Sequence, residues 1–125
     1  MTRETARTWA EIDLNNLEHN YRALLGCAPG SRFLGTVKAN AYGHGAVPVA
    51  RQLVELGADY LAVACLDEAA ELRRAGIAAP ILVLGYTQPE LAGEVVALDV
   101  TQTVFTPELA QALSEAAGAA GKRAK

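Results

Sequence analysis

The chain has 125 residues, of which 51% are hydrophobic and 20% charged, the composition of one folded unit with a core of moderate size. Its formal net charge is −3 and its Lys and Arg residues are scattered, not gathered into a stripe, which argues against a nucleic-acid surface and for a small-molecule partner. The polar start, Met1 to Arg7, is followed by no apolar stretch long enough for a signal peptide or a membrane span, so a cytoplasmic protein without a membrane partner is expected.

Residues 9–14 alternate apolar with polar or charged side chains, a pattern that predicts one short strand with Trp9 as a packing residue. A helix should follow at once. Asn15 with Glu18 forms a capping-box-like start, and Leu14, Leu17, Tyr21, Leu24 and Leu25 share one helical face before Gly26. Residues 27–31 then read as a loop. Cys27 and Cys65 lack metal-ligand spacing and are too few for a disulfide framework, so both are expected to be free thiols, buried or partly exposed.

From Arg32 onward a short apolar run repeatedly leads into a helical pattern that ends at glycine. The runs are residues 33–37, 60–65, 81–84 and 101–105. The first is followed by a helix over 47–56, with Ala46, Val49, Ala50, Leu53 and Val54 on a common side and Gly57 as its stop. The second is followed by a helix from near Asp67 to Gly76. Thr87 with Pro89 and Glu90 opens the next helix, and Thr106 with Pro107 at the first helical position opens the last.

Apolar strands that do not alternate, each followed by a helix, imply an α/β fold with a parallel sheet covered by helices. A doubly wound sheet and a (β/α)8 TIM-type barrel both fit. A complete barrel needs eight such units and typically ~250 residues. On the barrel reading the chain holds the N-terminal half, preceded by one short β-strand, and would leave two open strand edges.

The informative segment is Val37-Lys-Ala-Asn-Ala-Tyr-Gly-His-Gly45, at the C-terminal end of the first barrel-type strand, where barrel active sites lie. Apolar surroundings lower an amine's pKa and free the neutral nucleophile to attack an aldehyde, and pyridoxal 5'-phosphate is such an aldehyde. The glycines allow the turn that brings Tyr42 and His44 toward the strand end, and the tyrosine hydroxyl could donate to a phosphate oxygen. A solvated lysine capping a strand, followed by an ordinary glycine turn, fits the same residues.

This segment closely resembles the cofactor-lysine motif of bacterial alanine racemases. Trp9-Ala-Glu-Ile-Asp-Leu14, Leu66-Asp-Glu-Ala69 and Pro80-Ile-Leu-Val-Leu-Gly85 stand in the order and spacing of that family, so the resemblance runs from Trp9 to Phe105. It implies that Lys38 is the catalytic lysine that holds pyridoxal 5'-phosphate as a Schiff base and acts as one of two acid/base groups. It further implies that Tyr42 bonds the cofactor phosphate and that Leu84 lines the cofactor pocket. The second base in the family is a tyrosine from the C-terminal domain of the partner subunit. By the same resemblance, residues 1–14 are an N-terminal segment and strand that pack with that β domain, and residues 15–125 are a partial, truncated barrel domain.

The function so implied is interconversion of L- and D-alanine for peptidoglycan synthesis by a cytoplasmic homodimer, with the fragment expected to be inactive alone. Two alternatives are another amino-acid racemase on the same barrel type and a cofactor-binding module without turnover. His19 and His44 are read as surface histidines, not metal ligands, and no metal is expected. Asp67 and Glu68 are read as a helix cap favoured by the helix dipole.

Overall fold

The computed structural model of the chain describes residues 7–125, so the first six residues of the expected N-terminal segment lie outside it. Residues 8–13 belong to no helix or strand, which corrects the strand expected over 9–14. Alternation makes a strand only where a neighbour completes a hydrogen-bonded ladder, and β1 (Leu34–Thr36) forms its ladder with β2 (Tyr60–Val63).

Helix α1 (Leu14–Cys27) starts two residues earlier than the capping-box reading places it. Its cap is Asp13, whose Oδ1 accepts the Asn15 N–H at 2.8 Å. Asn15 and Glu18 do not form a box, because Asp13 already satisfies the first turn. Glu18 instead pairs with Arg22 one turn on, at 2.7 Å. Tyr21 is buried and meets Phe33 edge-on, with centroids 4.6 Å apart, while Leu24 of the expected apolar face is 59% exposed.

The sheet is parallel, in the order β1-β2-β3-β4, with β3 at Ile81–Val83 and β4 at Thr101–Gln102. Each strand is added beside the last in one direction. A doubly wound sheet reverses at a switch point, so this order decides for the barrel-type winding. Gly35, Leu61 and Ile81 stand in register on the helix-covered face, and added bulk at Gly35 would put a Cβ 2.6 Å from Leu53 Cδ1. On the opposite face, Thr36, Ala62, Leu82 and Thr101 form a second row.

The covering helices are α3 (Ala46–Glu55) and α4 (Leu66–Arg74), which bury Val49, Ala50, Leu53, Ala69 and Leu72. Complete burial of Leu61, Leu72, Ile81 and Leu109 contributes roughly 1.5–3 kcal/mol each. The third connection is a 3-10 turn, Pro89–Leu91, running into α5 (Ala92–Ala97). Thr87 does not cap it. That side chain is buried and donates to Gln102 Oε1 at 2.7 Å, tying the end of β3 to β4. At α6 (Pro107–Ala119) the cap is as expected, with Thr106 Oγ1 accepting the Leu109 N–H.

At the base of the sheet, where the strands begin, Arg73 gathers backbone carbonyls. Its guanidinium donates to Ile77 O (2.6 Å), Ala79 O (2.8 Å), Leu98 O (2.9 Å) and Asp99 O (3.1 Å). Desolvation lowers the Arg73 pKa and the charge of Asp99 opposes the shift. The Asp99 carboxyl is held below its ordinary value by a hydrogen bond from Lys125. Asp59 is likewise held low, first by the Phe33 N–H that it accepts at 2.8 Å.

At one side of the sheet, a cleft of about 280 Å3 lies between α1 and β1, lined by Leu17, Tyr21, Leu34 and Tyr42 among others. At the other, Gln102 N–H donates to Lys125 O at 3.0 Å. Cys27 and Cys65 are free and exposed. Among the described residues no helix is long and apolar enough to cross a membrane.

Candidate active site

The β1 ladder runs one residue past the strand, since Val37 N–H donates to Ala62 O at 2.8 Å. Lys38 follows immediately, half-buried, at the C-terminal end of the sheet. Among the described residues it joins no ion pair. Carrying the register past Thr36, Ala62 and Leu82 sets Lys38 level with Ala64 and Leu84 on adjacent strands. Two strand spacings put Leu84 roughly 10 Å from Lys38 across the sheet top.

Helix α2 (Lys38–Tyr42) is where expectation and structure part. Ala39, Asn40, Ala41 and Tyr42 have φ of 51, 53, 51 and 55°, and for the first three ψ is 45–49°. This is one turn of left-handed helix built from residues that carry a Cβ. Gly43 and Gly45, expected to make the turn, extend it with φ of 89 and 93° but do not start it. Left-handed backbone costs roughly 1–2 kcal/mol per residue at Ala39, Ala41 and Tyr42 and less at Asn40, so the turn stores on the order of 3–6 kcal/mol before its contacts are counted.

Those contacts are numerous. Glu68 Oε1 accepts the Ala39 N–H at 2.8 Å, and Glu68 Oε2 accepts the Ala64 N–H at 2.7 Å. Asn40 Oδ1 accepts the Ala46 N–H at 2.8 Å and so caps α3. Gly45 N–H donates to Asn40 O, Ala41 is buried, and both His44 N–H and His44 Nδ1 donate to Ala41 O at 3.0 and 3.1 Å. The last bond selects the Nδ1–H tautomer of His44. Sequence reasoning missed Glu68 and Asn40. Glu68 sits at the third position of its helix, the one that signals a capping partner, but the Ala39 amide it also reaches lies on another βα unit.

The turn carries Tyr42 on the same loop as Lys38, with its side chain 62% exposed, and Leu84 is 38% exposed at the end of β3. Close packing sets the strand ends between them. An added Cβ at Gly85 would run into Ala64 O, whose bond from Gly85 N–H is 3.0 Å long. Asp67 is exposed and takes no comparable role. Among the described residues no group of three His, Cys, Asp or Glu side chains could hold a metal ion.

Chemically, a primary amine without a counter-ion can add to a carbonyl, a phenol can donate to an anionic oxygen, and Leu84 offers apolar surface to a planar ring. An aromatic aldehyde that bears a phosphate matches all three. Residues 12–125 match the family model described as alanine racemase, N-terminal domain. The chain belongs to the alanine racemase family. Within this alanine racemase family, the alanine racemase of Desulfovibrio desulfuricans is 54% identical over 114 residues, covering 90% of this chain and 31% of that protein. The solved alanine racemase of Clostridium difficile 630 superposes with a TM-score of 0.90 at 44% identity, over 96% of this chain and 32% of that one. A histidine racemase from Leuconostoc mesenteroides superposes with a TM-score of 0.79 at 30% identity, over 86% of this chain and 29% of that one. The chain therefore spans about a third of the length of the curated relatives it matches.

Proposed function

We propose that this chain is the part of an alanine racemase that carries the cofactor lysine, with Lys38 bonded to pyridoxal 5'-phosphate, Tyr42 donating to its phosphate and Leu84 lining its pocket. The observation that carries the reading is the half-buried Lys38, without an ion-pair partner among the described residues, level with Leu84 at the strand ends. When bound, the cofactor supplies an electron sink that makes the α-hydrogen of an amino acid acidic.

The chain's own residues hold and position. Lys38 Nζ, once neutral, takes a proton from one face of the substrate and, once protonated, returns it in the reverse direction. The Tyr42 hydroxyl would hold the phosphate end of the cofactor by donating to an anionic oxygen. Leu84 excludes water from one side. Inversion needs a second acid/base group on the opposite face, which on this reading is a tyrosine of the partner subunit in a homodimer. The proposed substrate is alanine, the product D-alanine for peptidoglycan, and the setting the cytoplasm. Residues 15–125 then belong to the barrel domain, and residues 1–14 pack with a C-terminal β domain.

A second reading is racemisation of a different amino acid, favoured by the likeness to the histidine racemase at 30% identity. The four βα units are common to both. Substrate choice therefore has to be tested with alanine and histidine side by side.

The deciding experiment for the site is borohydride reduction of the chain mixed with pyridoxal 5'-phosphate, followed by mass mapping against a Lys38→Ala control. One stoichiometric adduct at Lys38, lost in the control, is expected. Labelling scattered over Lys38, Lys122 and Lys125, and unchanged in character in the control, overturns the reading.

A further inference from the structure

Four consecutive residues with a Cβ do not stay left-handed without something to hold them, and most of the bonds around the turn are internal to it. Two reach outside. Asn40 Oδ1 ties the turn forward to Ala46 at the start of α3. Glu68 ties it sideways, across 29 residues of sequence, to the neighbouring βα unit.

We propose that Glu68 is the positioning residue of the cofactor lysine, its carboxylate clamping the peptide that follows Lys38 to the end of β2. The geometry is specific. Ala39 N belongs to the Lys38–Ala39 peptide, so the bond from it to Glu68 Oε1 at 2.8 Å restrains the backbone on which Lys38 stands. Glu68 Oε2 takes Ala64 N–H at 2.7 Å, and Ala64, just past the end of β2, is the residue that the register carried two steps on sets level with Lys38. Glu68 is itself steadied from behind, because Leu66 and Ala69 on either side of it in α4 are buried.

A carboxylate suits this place as no other group does. Two backbone donors converge on one side chain, and an ionised carboxylate is acceptor-only at both oxygens. Glutamine of the same length offers one acceptor and turns an NH2 donor toward the other N–H. The proposal rests on the cofactor reading only in its second half. The clamp on the turn stands or falls without any cofactor.

The test uses the whole 125-residue chain with Glu68→Gln, Glu68→Ala and, as a control, the exposed neighbour Asp67→Ala. Amide hydrogen exchange is measured without cofactor, and the rate of borohydride-trapped labelling is then measured with pyridoxal 5'-phosphate. In Glu68→Ala, exchange at Ala39 and Ala64 should rise about 10-fold or more, as expected for loss of a charge-assisted bond, with the Leu61 amide in the sheet unchanged. Glu68→Gln should free one of the two amides and, being equal in size, carries the test if the alanine variant does not fold. Trapping at Lys38 should slow about 10-fold in Glu68→Ala while Lys122 and Lys125 label as before.

Exchange at Ala39 that is unchanged, or that rises only in step with Leu61, overturns the clamp. Freed amides with undiminished trapping at Lys38 overturn the positioning role. If the unaltered chain traps nothing at Lys38 while exchange behaves as expected, the cofactor reading falls and the clamp remains.

Discussion

The two ends of helix α4 do opposite jobs with opposite charges. At its start Glu68, an anion, collects backbone N–H groups at the top of the sheet. At its finish Arg73, a cation, collects four backbone carbonyls at the base. The polarity follows from the parallel winding: helices begin at the top, where N–H groups lack partners, and end at the base, where carbonyls do. Acidic residues in the first turn and basic ones in the last also complement the helix dipole. The difference lies in what is held. The base clamp closes loops in which a single non-glycine residue, Asp99, is left-handed (φ 51°) and acts as a staple, whereas the top clamp holds a turn with four such residues in a row, next to Lys38.

Replacing Arg73 by Met should produce the largest effect. Its apolar stem is kept, but four carbonyls lose a charged donor, and stability in urea titration should fall by about 3 kcal/mol. Labelling at Lys38 per folded molecule should not change; if it does, the two ends are not separable. Gly85→Ala attacks the top instead. The new Cβ collides with Ala64 O, so stability should drop by about 2 kcal/mol, and Lys38 trapping should slow as well.

A smaller contrast compares glycine at two exposed alanines. Ala39→Gly removes left-handed strain but loosens the unfolded chain, and the two nearly cancel, leaving a change within about 0.5 kcal/mol. Ala110→Gly, in the right-handed α6, has only the cost and should lose about 1 kcal/mol. Equal losses at the two positions would mean that the α2 backbone is not left-handed in solution.

Acid should act faintly and at the base. Asp59 and Asp99 have pKa values lowered from 3.8, so their stabilising contribution is complete above that value and is lost as pH falls through the depressed folded values. Asp59→Asn should flatten this part of the acid-unfolding curve and leave the neutral range alone. A variant whose acid sensitivity matches the unaltered chain would remove Asp59 from the account.

Much of this was legible in the residues. Each apolar run from Phe33 onward contains its strand, and Gly57 and Gly76 end their helices with φ of 95 and 81°. Thr106 with Pro107 is a cap readable at sight. Lys38 at a strand end was readable too, from its place after an apolar run. What escaped were features whose cause lies far off in sequence. Nothing in Ala39-Asn-Ala-Tyr42 announces left-handed backbone except asparagine's tolerance of it, because the bonds that hold it come from Glu68 and Ala46. The strand over 9–14 failed for the same reason, since its alternation was visible but a ladder needs a neighbour. Thr87 was mistaken for a cap because its partner, Gln102, is on another strand.

The distance along the chain between Lys38 and its clamp has a consequence for biosynthesis. A ribosome releases the chain from its N-terminus at roughly 5–20 residues per second, so Lys38 emerges seconds before Glu68 does. Until residue 68 has cleared the exit tunnel and α4 has docked on β2, the left-handed turn lacks its sideways hold. On the proposed reading of Lys38, its amine would then reach its working geometry only after the second βα unit is in place, so that capture of an aldehyde would wait until the nascent sheet has a floor to receive it.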